Sequence, residues 1–166
     1  YMSDVQLKSL FLSHIEEYHD SLFIFTDGSK NDNGVGYGAY SEEFSRKGAL
    51  PPIASNFTTE LAGIVSAVKA VSSLGCNTKV FTIFSDSKSA LEALECFNTK
   101  HPIVLKILEW LHLIHSRGRE VNFCWVPAHC GINGNEKADD LAKRATMNSR
   151  PHPHPLPFSD FIPSIK

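Results

Sequence analysis

Asp27 and Asp86 each close a run of apolar, strand-forming residues, "LFIFTD" at 22–27 and "FTIFSD" at 81–86, with a Phe two places before the acid in both. Side chains alternate along a strand, so Phe25 and Asp27 share one side of a sheet, as do Phe84 and Asp86. If the two strands lie side by side, the carboxylates meet. Close carboxylates repel, and each raises the other's pKa unless a cation intervenes. A bound Mg²⁺ resolves the repulsion, because it is hard, prefers oxygen ligands and keeps several waters. Taken singly, Asp27 reads as well as a turn residue in "DGS", and Asp86 as the cap of the helix in "SDSKSA". The repeat shifts the balance toward function.

Two further acids stand where they could join the pair. Glu60, in the first turn of the "TTELAGIVSAV" helix, suits the helix dipole, yet that helix is otherwise mostly apolar, which brings an acid near its start close to the sheet. Asp139 and Asp140 sit with Glu136 and Lys137 at the start of the last helix, a cluster that also suits a solvated first turn. Spacing alone does not choose between Asp139 and Asp140.

The elements that must position these acids follow from periodicity. Residues 22–27 make a central strand, covered on both faces, and "GSKNDNG" a turn rich in residues that tolerate positive φ. "VGYGAYS" and "EFSRKGAL" continue as an antiparallel meander. A helix spans about 58–74, capped by Thr58 or Thr59 and stopped by Gly75, with Leu61, Ile64, Val65, Val68 and Val71 along one stripe. Residues 79–85 form the second buried strand, and "SKSALEALECF" a short helix with Leu91 and Leu94 inward. A helix starts at Pro102 and closes at Gly118, "EVNFCWVPA" is the last strand, and the final helix turns Ala138, Leu141, Ala142 and Ala145 inward. The fold class is α/β, a five-stranded mixed sheet with helices on both faces. Residues 1–20 read as a helix or linker, 21–148 as the domain, and 149–166 as a Pro-rich extended linker in which His152 and His154 are solvated.

Length and charge bound the possibilities. A chain of 166 residues suits one domain, and a net charge of −2 predicts no strong nonspecific attraction to nucleic acid while leaving room for a local basic surface. No apolar run reaches membrane-span length and no signal peptide opens the chain, so no membrane role is expected. Cys76, Cys96, Cys124 and Cys130 form no CxxC pair and read as reduced thiols of an intracellular protein. Tyr rather than Met at position 1 fits a domain cut from a longer chain.

"FTDGSK", "TTELAGI", "FSDSKSAL" and "WVPAHCGINGNEKADDLAKRA", in this order over about residues 22–147, resemble the ribonuclease H type 1 family. The last block is most similar to ribonuclease H domains of retrotransposon polyproteins without long terminal repeats. The resemblance implies a ribonuclease H-like fold, catalytic and metal-binding carboxylates at Asp27, Glu60, Asp86 and Asp139, and a loop histidine at His129 that assists proton movement and product departure. It implies Mg²⁺ as cofactor, two ions with Mn²⁺ as a substitute. Asp27 is then expected to bridge both ions, with Glu60 and Asp86 on one side and Asp139 on the other. The expected activity is hydrolysis of the RNA strand of an RNA/DNA hybrid to a 5′-phosphate and a 3′-hydroxyl. That removes template RNA during reverse transcription.

By family position, Gly28, Ser29 and Asn56 are candidates for reading the hybrid, and Asn33 for a phosphate contact. Gly28 reads equally as a turn glycine and Asn56 as a loop residue before the helix. Lys88 replaces an amide common in cellular relatives, and no Trp- and Lys-rich insertion interrupts "ECFNTKHPI". Lys30, Arg46, Lys47, Lys88, Lys100, Arg117 and Arg119 are scattered, so the isolated domain, taken as a monomer, is expected to bind hybrid weakly and with strong salt dependence. Expected partners are the hybrid, reverse transcriptase and other domains of a parent polyprotein. The alternative is a non-catalytic module that binds hybrid or scaffolds the polyprotein. Its signature would be a missing acid, and all four are present.

Overall fold

The chain is described by a computed structural model over residues 2–96, 98–148, 150–151 and 155–161, with the side chain of Asn148 excluded; His152 and His154 lie outside the described residues. A helix, α1 (Asp4–Ile15), and a 3₁₀ turn (Glu16–Tyr18) precede strands β1 (Leu22–Asn31), β2 (Gly34–Tyr40) and β3 (Ser45–Leu50). Then come α2 (Asn56–Ser73), β4 (Val80–Ser85), α3 (Lys88–Glu95), α4 (Pro102–Ser116), β5 (Glu120–Trp125) and α5 (Asn133–Asn148), with a short 3₁₀ turn at Phe158–Asp160. The five strands lie in the order β3-β2-β1-β4-β5. The β1–β2 and β2–β3 pairs are antiparallel, while β1–β4 and β4–β5 are parallel. This is the mixed sheet anticipated, with β1 at its centre.

Alternation along the strands builds two cores. Ile24 and Ile83, partners across β1 and β4, join Leu61, Ile64 and Val68 of α2 and Ile103 and Ile107 of α4 on one face. Phe25 and Phe84, one residue on, join Phe11 of α1 and Ala138 of α5 on the other. In α3, Ala90 is fully buried, while Leu94 packs partly against the first core.

Two expectations are corrected. Residues 28–31, read as a turn, continue β1 and pair with Gly34–Tyr37, so the turn shrinks to Asp32 and Asn33. The ladder of backbone hydrogen bonds outweighs the turn-like composition of that segment. Helix α2 starts two residues early, because Ser55 is its cap and accepts from the Thr58 N–H, leaving Thr58 and Thr59 buried inside the helix. Within the segment read as an extended linker, the described residues 150–151 and 155–161 include some that touch the domain. Pro151 bridges Ala49 on edge strand β3, and Leu156 packs on the cluster of Leu50, Ala54 and Ala62. The buried Asp160 accepts from the Ser55 N–H at 3.2 Å. At the other end, α1 carries a capping box formed by Ser3 and Gln6. Among the described residues no helix is long and apolar enough to cross a membrane.

Candidate active site

The last paired rung between β1 and β4 is Thr26↔Ser85, so Asp27 and Asp86 follow it side by side. Beneath them Phe25 and Phe84 stack with centroids 4.9 Å apart and planes 19° apart. Asp27 does not end its strand, contrary to expectation: β1 runs on beside β2, with Asp27 opposite Gly38. It is β4 that stops. The notch beyond Ser85 is the crevice at strand carboxyl ends where ligands of α/β sheets bind.

Glu60 enters this notch from α2. With the helix beginning at Asn56, Glu60 lies in its second turn, not its first, and a dipole role accounts for it poorly. Gly28 admits it. A Cβ there would lie 3.0 Å from both the Glu60 N and the Thr59 Cγ2, so Gly28 is a contact surface for α2 within a strand rather than a turn glycine. Carboxylate oxygens of Asp27, Glu60 and Asp86 all come within 4.8 Å of one another.

Asp139 arrives from the opposite layer, and glycines again set the approach. Gly38 and Gly36 of β2 lie under α5, and a Cβ on Gly38 would collide with the Ala138 carbonyl oxygen. Because Gly38 pairs with Asp27, this close crossing sets Asp139 within hydrogen-bonding reach of the Asp27 carboxyl. The Asp139 side chain is 13% exposed and accepts from Lys143 at 2.6 Å. That of Asp140 is 54% exposed and pairs with Arg144, so Asp139 is the inward residue of the two. His129 is exposed, on the loop between β5 and α5, with a left-handed φ of 53°. Its ring lies close enough to Asp86 to favour the charged carboxylate.

The electrostatics are those of crowded acids, with Lys143 on Asp139 as the close cationic partner among the described residues. Asp27 is pushed up to about 8, by burial first and then by Asp86 and Asp139, against the Gly28 N–H that it accepts at 2.8 Å. Glu60 is pushed up to about 9 by burial, Asp27 and Asp86. Burial also raises Asp86, with His129 opposing the rise. Glu60 Oε2 is buried without a hydrogen-bond partner among the described residues. An orphaned carboxylate oxygen among mutually repelling all-oxygen donors fits a hard divalent cation.

The remaining sequence candidates spread along the notch. Ser29 follows Gly28 in β1, and Asn56 is exposed one helical turn before Glu60 on the same face of α2. Asn33 lies at the tip of the β1–β2 hairpin, on the order of 15–20 Å along the strand from Asp27, its N–H bound to the Asn31 side chain at 2.9 Å. Two basic candidates serve the far end of α2. Arg119 donates to the carbonyls of Val71, Leu74 and Cys76, and Arg117 to that of Ser72. Trp125, not singled out from the sequence, closes β5 opposite Ser85, and its indole N–H donates to the Asp86 carbonyl at 3.1 Å. The Lys88 ammonium lies 4.8 Å from the centre of that ring. The signal available for Trp125 was its position at the end of the strand beside β4.

Comparison with known proteins shows the family. Residues 19–147 match the RNase H family. The Pol polyproteins of equine infectious anemia virus, strain Wyoming and isolate 1369, are each 32% identical over 137 residues, covering 78% of this chain. The match takes in 11% of those polyproteins, so the chain spans about a tenth of the length of these relatives. Among solved structures, the N-terminal RNase H domain of a Mycobacterium tuberculosis protein, fused to maltose-binding protein, superposes with a TM-score of 0.57 at 27% identity. That superposition covers 76% of this chain and 94% of the other. On these grounds the chain belongs to the RNase H family.

Proposed function

We propose that this domain is a metal-dependent endonuclease that hydrolyses the RNA strand of RNA/DNA hybrids, removing template RNA during reverse transcription by a retroelement. The observation that carries the reading is the cluster of carboxylate oxygens from Asp27, Glu60 and Asp86, with Asp139 beside Asp27. Asp27, Glu60, Asp86 and Asp139 are the residues that hold Mg²⁺, or Mn²⁺ in its place, with Asp27 central because it neighbours all three other acids. When bound, two such ions activate water and stabilise the departing oxygen of a phosphodiester.

The chain's own groups do the rest. Trp125 fixes the main chain of Asp86, and Gly28 leaves room for Glu60 beside Asp27. His129, exposed at the mouth of the notch, is suited to carry a proton to or from the scissile phosphate and to ease product departure. Gly28, Ser29 and Asn56 line the approach along which a minor groove with its 2′-hydroxyls would pass. Asn33 is more remote and could reach only a distant phosphate. Four free thiols accord with an intracellular setting, and the polyprotein relatives accord with a domain that works beside a polymerase.

The test is cleavage of end-labelled RNA/DNA hybrid, duplex RNA and duplex DNA in Mg²⁺ or EDTA. Metal-dependent cutting of the hybrid's RNA strand alone, leaving 5′-phosphate ends, is the expected result. A folded protein that binds hybrid and cuts nothing in Mg²⁺ or Mn²⁺ would make it a binding module instead.

A further inference from the structure

Helix α1 precedes the segment that matches the family, which begins at residue 19. It nevertheless touches the site at two points. Phe11 is 5% exposed and meets Phe84 edge-on at 5.4 Å, closing the aromatic stack beneath Asp27 and Asp86. Lys8 reaches across 123 residues of sequence to donate its ammonium to the Gly131 carbonyl at 2.7 Å.

Gly131 belongs to the turn that displays His129. Both residues have left-handed backbones, φ 53° for His129 and 71° for Gly131. A left-handed non-glycine residue is strained and persists only where its surroundings hold it. Here both main-chain polar groups of Gly131 are held, one on each of its flanking peptides: Glu136 of α5 accepts its N–H at 3.3 Å, and Lys8 of α1 donates to its carbonyl. Between the two left-handed residues the Cys130 thiol is buried and donates to the Ala128 carbonyl at 3.2 Å. Ile132 packs in the same cluster as Phe11.

We propose that α1 is a working part of the catalytic unit, with Lys8 a positioning residue that holds the His129 turn. The inference rests on the function proposed above for its effect on turnover, but the brace itself can be observed without substrate. A helix that merely covered apolar sheet surface would need Phe11 and not a half-buried lysine aimed at one carbonyl of this turn. The charged donor also explains why the contact is worth holding, since hydrogen bonds from charged groups are stronger than neutral ones.

The experiment compares wild type, Lys8→Met and Lys8→Arg, each alone and with His129→Ala, in the full chain. Hydrogen exchange of the Gly131 amide should quicken about tenfold in Lys8→Met and recover in Lys8→Arg. On hybrid in Mg²⁺, Lys8→Met should lower kcat about tenfold with KM unchanged. In the His129→Ala background the same change should have little further effect, because the two residues act as a unit. Unaltered Gly131 exchange, or an equal loss of kcat with and without His129, would overturn the proposal. Should wild type cut no hybrid at all, the functional reading falls while the exchange measurement still decides the brace.

Discussion

Phe25 and Phe84 stack at 4.9 Å in register, and each stands two residues before an aspartate of the same notch. The stack and the acid pair are one arrangement, since residues two apart on neighbouring parallel strands keep the same partner and the same face. The aromatic pair supplies the burial and the pair above it carries the charge. The notch therefore concentrates carboxyl groups over a dry floor, which raises their pKa values and makes a cation the natural counterpart.

Asp27 should be indispensable for activity and costly for the metal-free fold. Asp27→Asn should lower hybrid cleavage by at least about 10²-fold. The same change should stabilise the metal-free protein by about 1–3 kcal/mol at pH 7, because it removes a buried acid held near 8 among like charges. Chemical denaturation in EDTA measures the second effect, and an Asn variant less stable than wild type would contradict it.

The pH dependence has a definite sign. With Asp27 near 8 and Glu60 near 9, the folded metal-free protein keeps protons that the unfolded chain releases near pH 4. Their contribution to stability is full below about pH 4 and falls as the pH rises toward 9. Thermal melts across that range in EDTA should show the decline. Saturating Mg²⁺ should flatten it, because a bound cation replaces the protons.

Gly38 is required for the meeting of Asp27 and Asp139. Gly38→Ala drives a methyl against the Ala138 carbonyl and the Leu141 Cβ, so α5 must lift from β2. The expected cost is about 1–3 kcal/mol, with loss of cleavage, as such overpacking typically brings. A fully stable and active Ala variant would show that α5 does not need this close crossing.

How much of this was legible in the sequence depended on where the signal lay. The repeat around Phe25-Asp27 and Phe84-Asp86 reports its own pairing, because alternation within a strand is a local rule. The true length of β1 was not legible: "GSKNDNG" has turn composition, and only pairing with β2 reveals that Gly28 to Asn31 are strand. Periodicity left Asp139 and Asp140 open and the family resemblance chose Asp139; the crossing of α5 over Gly36 and Gly38 gives the physical reason that it is the inward one. Ser55 was passed over as the α2 cap because Thr58 and Thr59 stand closer to the apolar run. The brace from Lys8 to Gly131 joins residues so distant in sequence that no local pattern announces it.

The C-terminal tail supports the start of α2. Asp160→Ala should cost about 1 kcal/mol in urea denaturation, since it removes an acceptor from the Ser55 N–H at the capping position. A chain ended at residue 150 should lose more, because it also removes Leu156 from the cluster with Leu50 and Ala62. No change in either would show that these contacts add nothing to stability.

The central claim is that Asp27, Glu60, Asp86 and Asp139 form one cation site, and calorimetric titration with Mg²⁺ at pH 7 tests it most directly. Run in buffers of different ionisation heat, wild type should bind the ion and release about one to two protons, because Asp27 and Glu60 begin protonated. Asp27→Asn should bind far more weakly and release fewer. Binding without proton release, or equal binding by the Asn variant, would contradict the account.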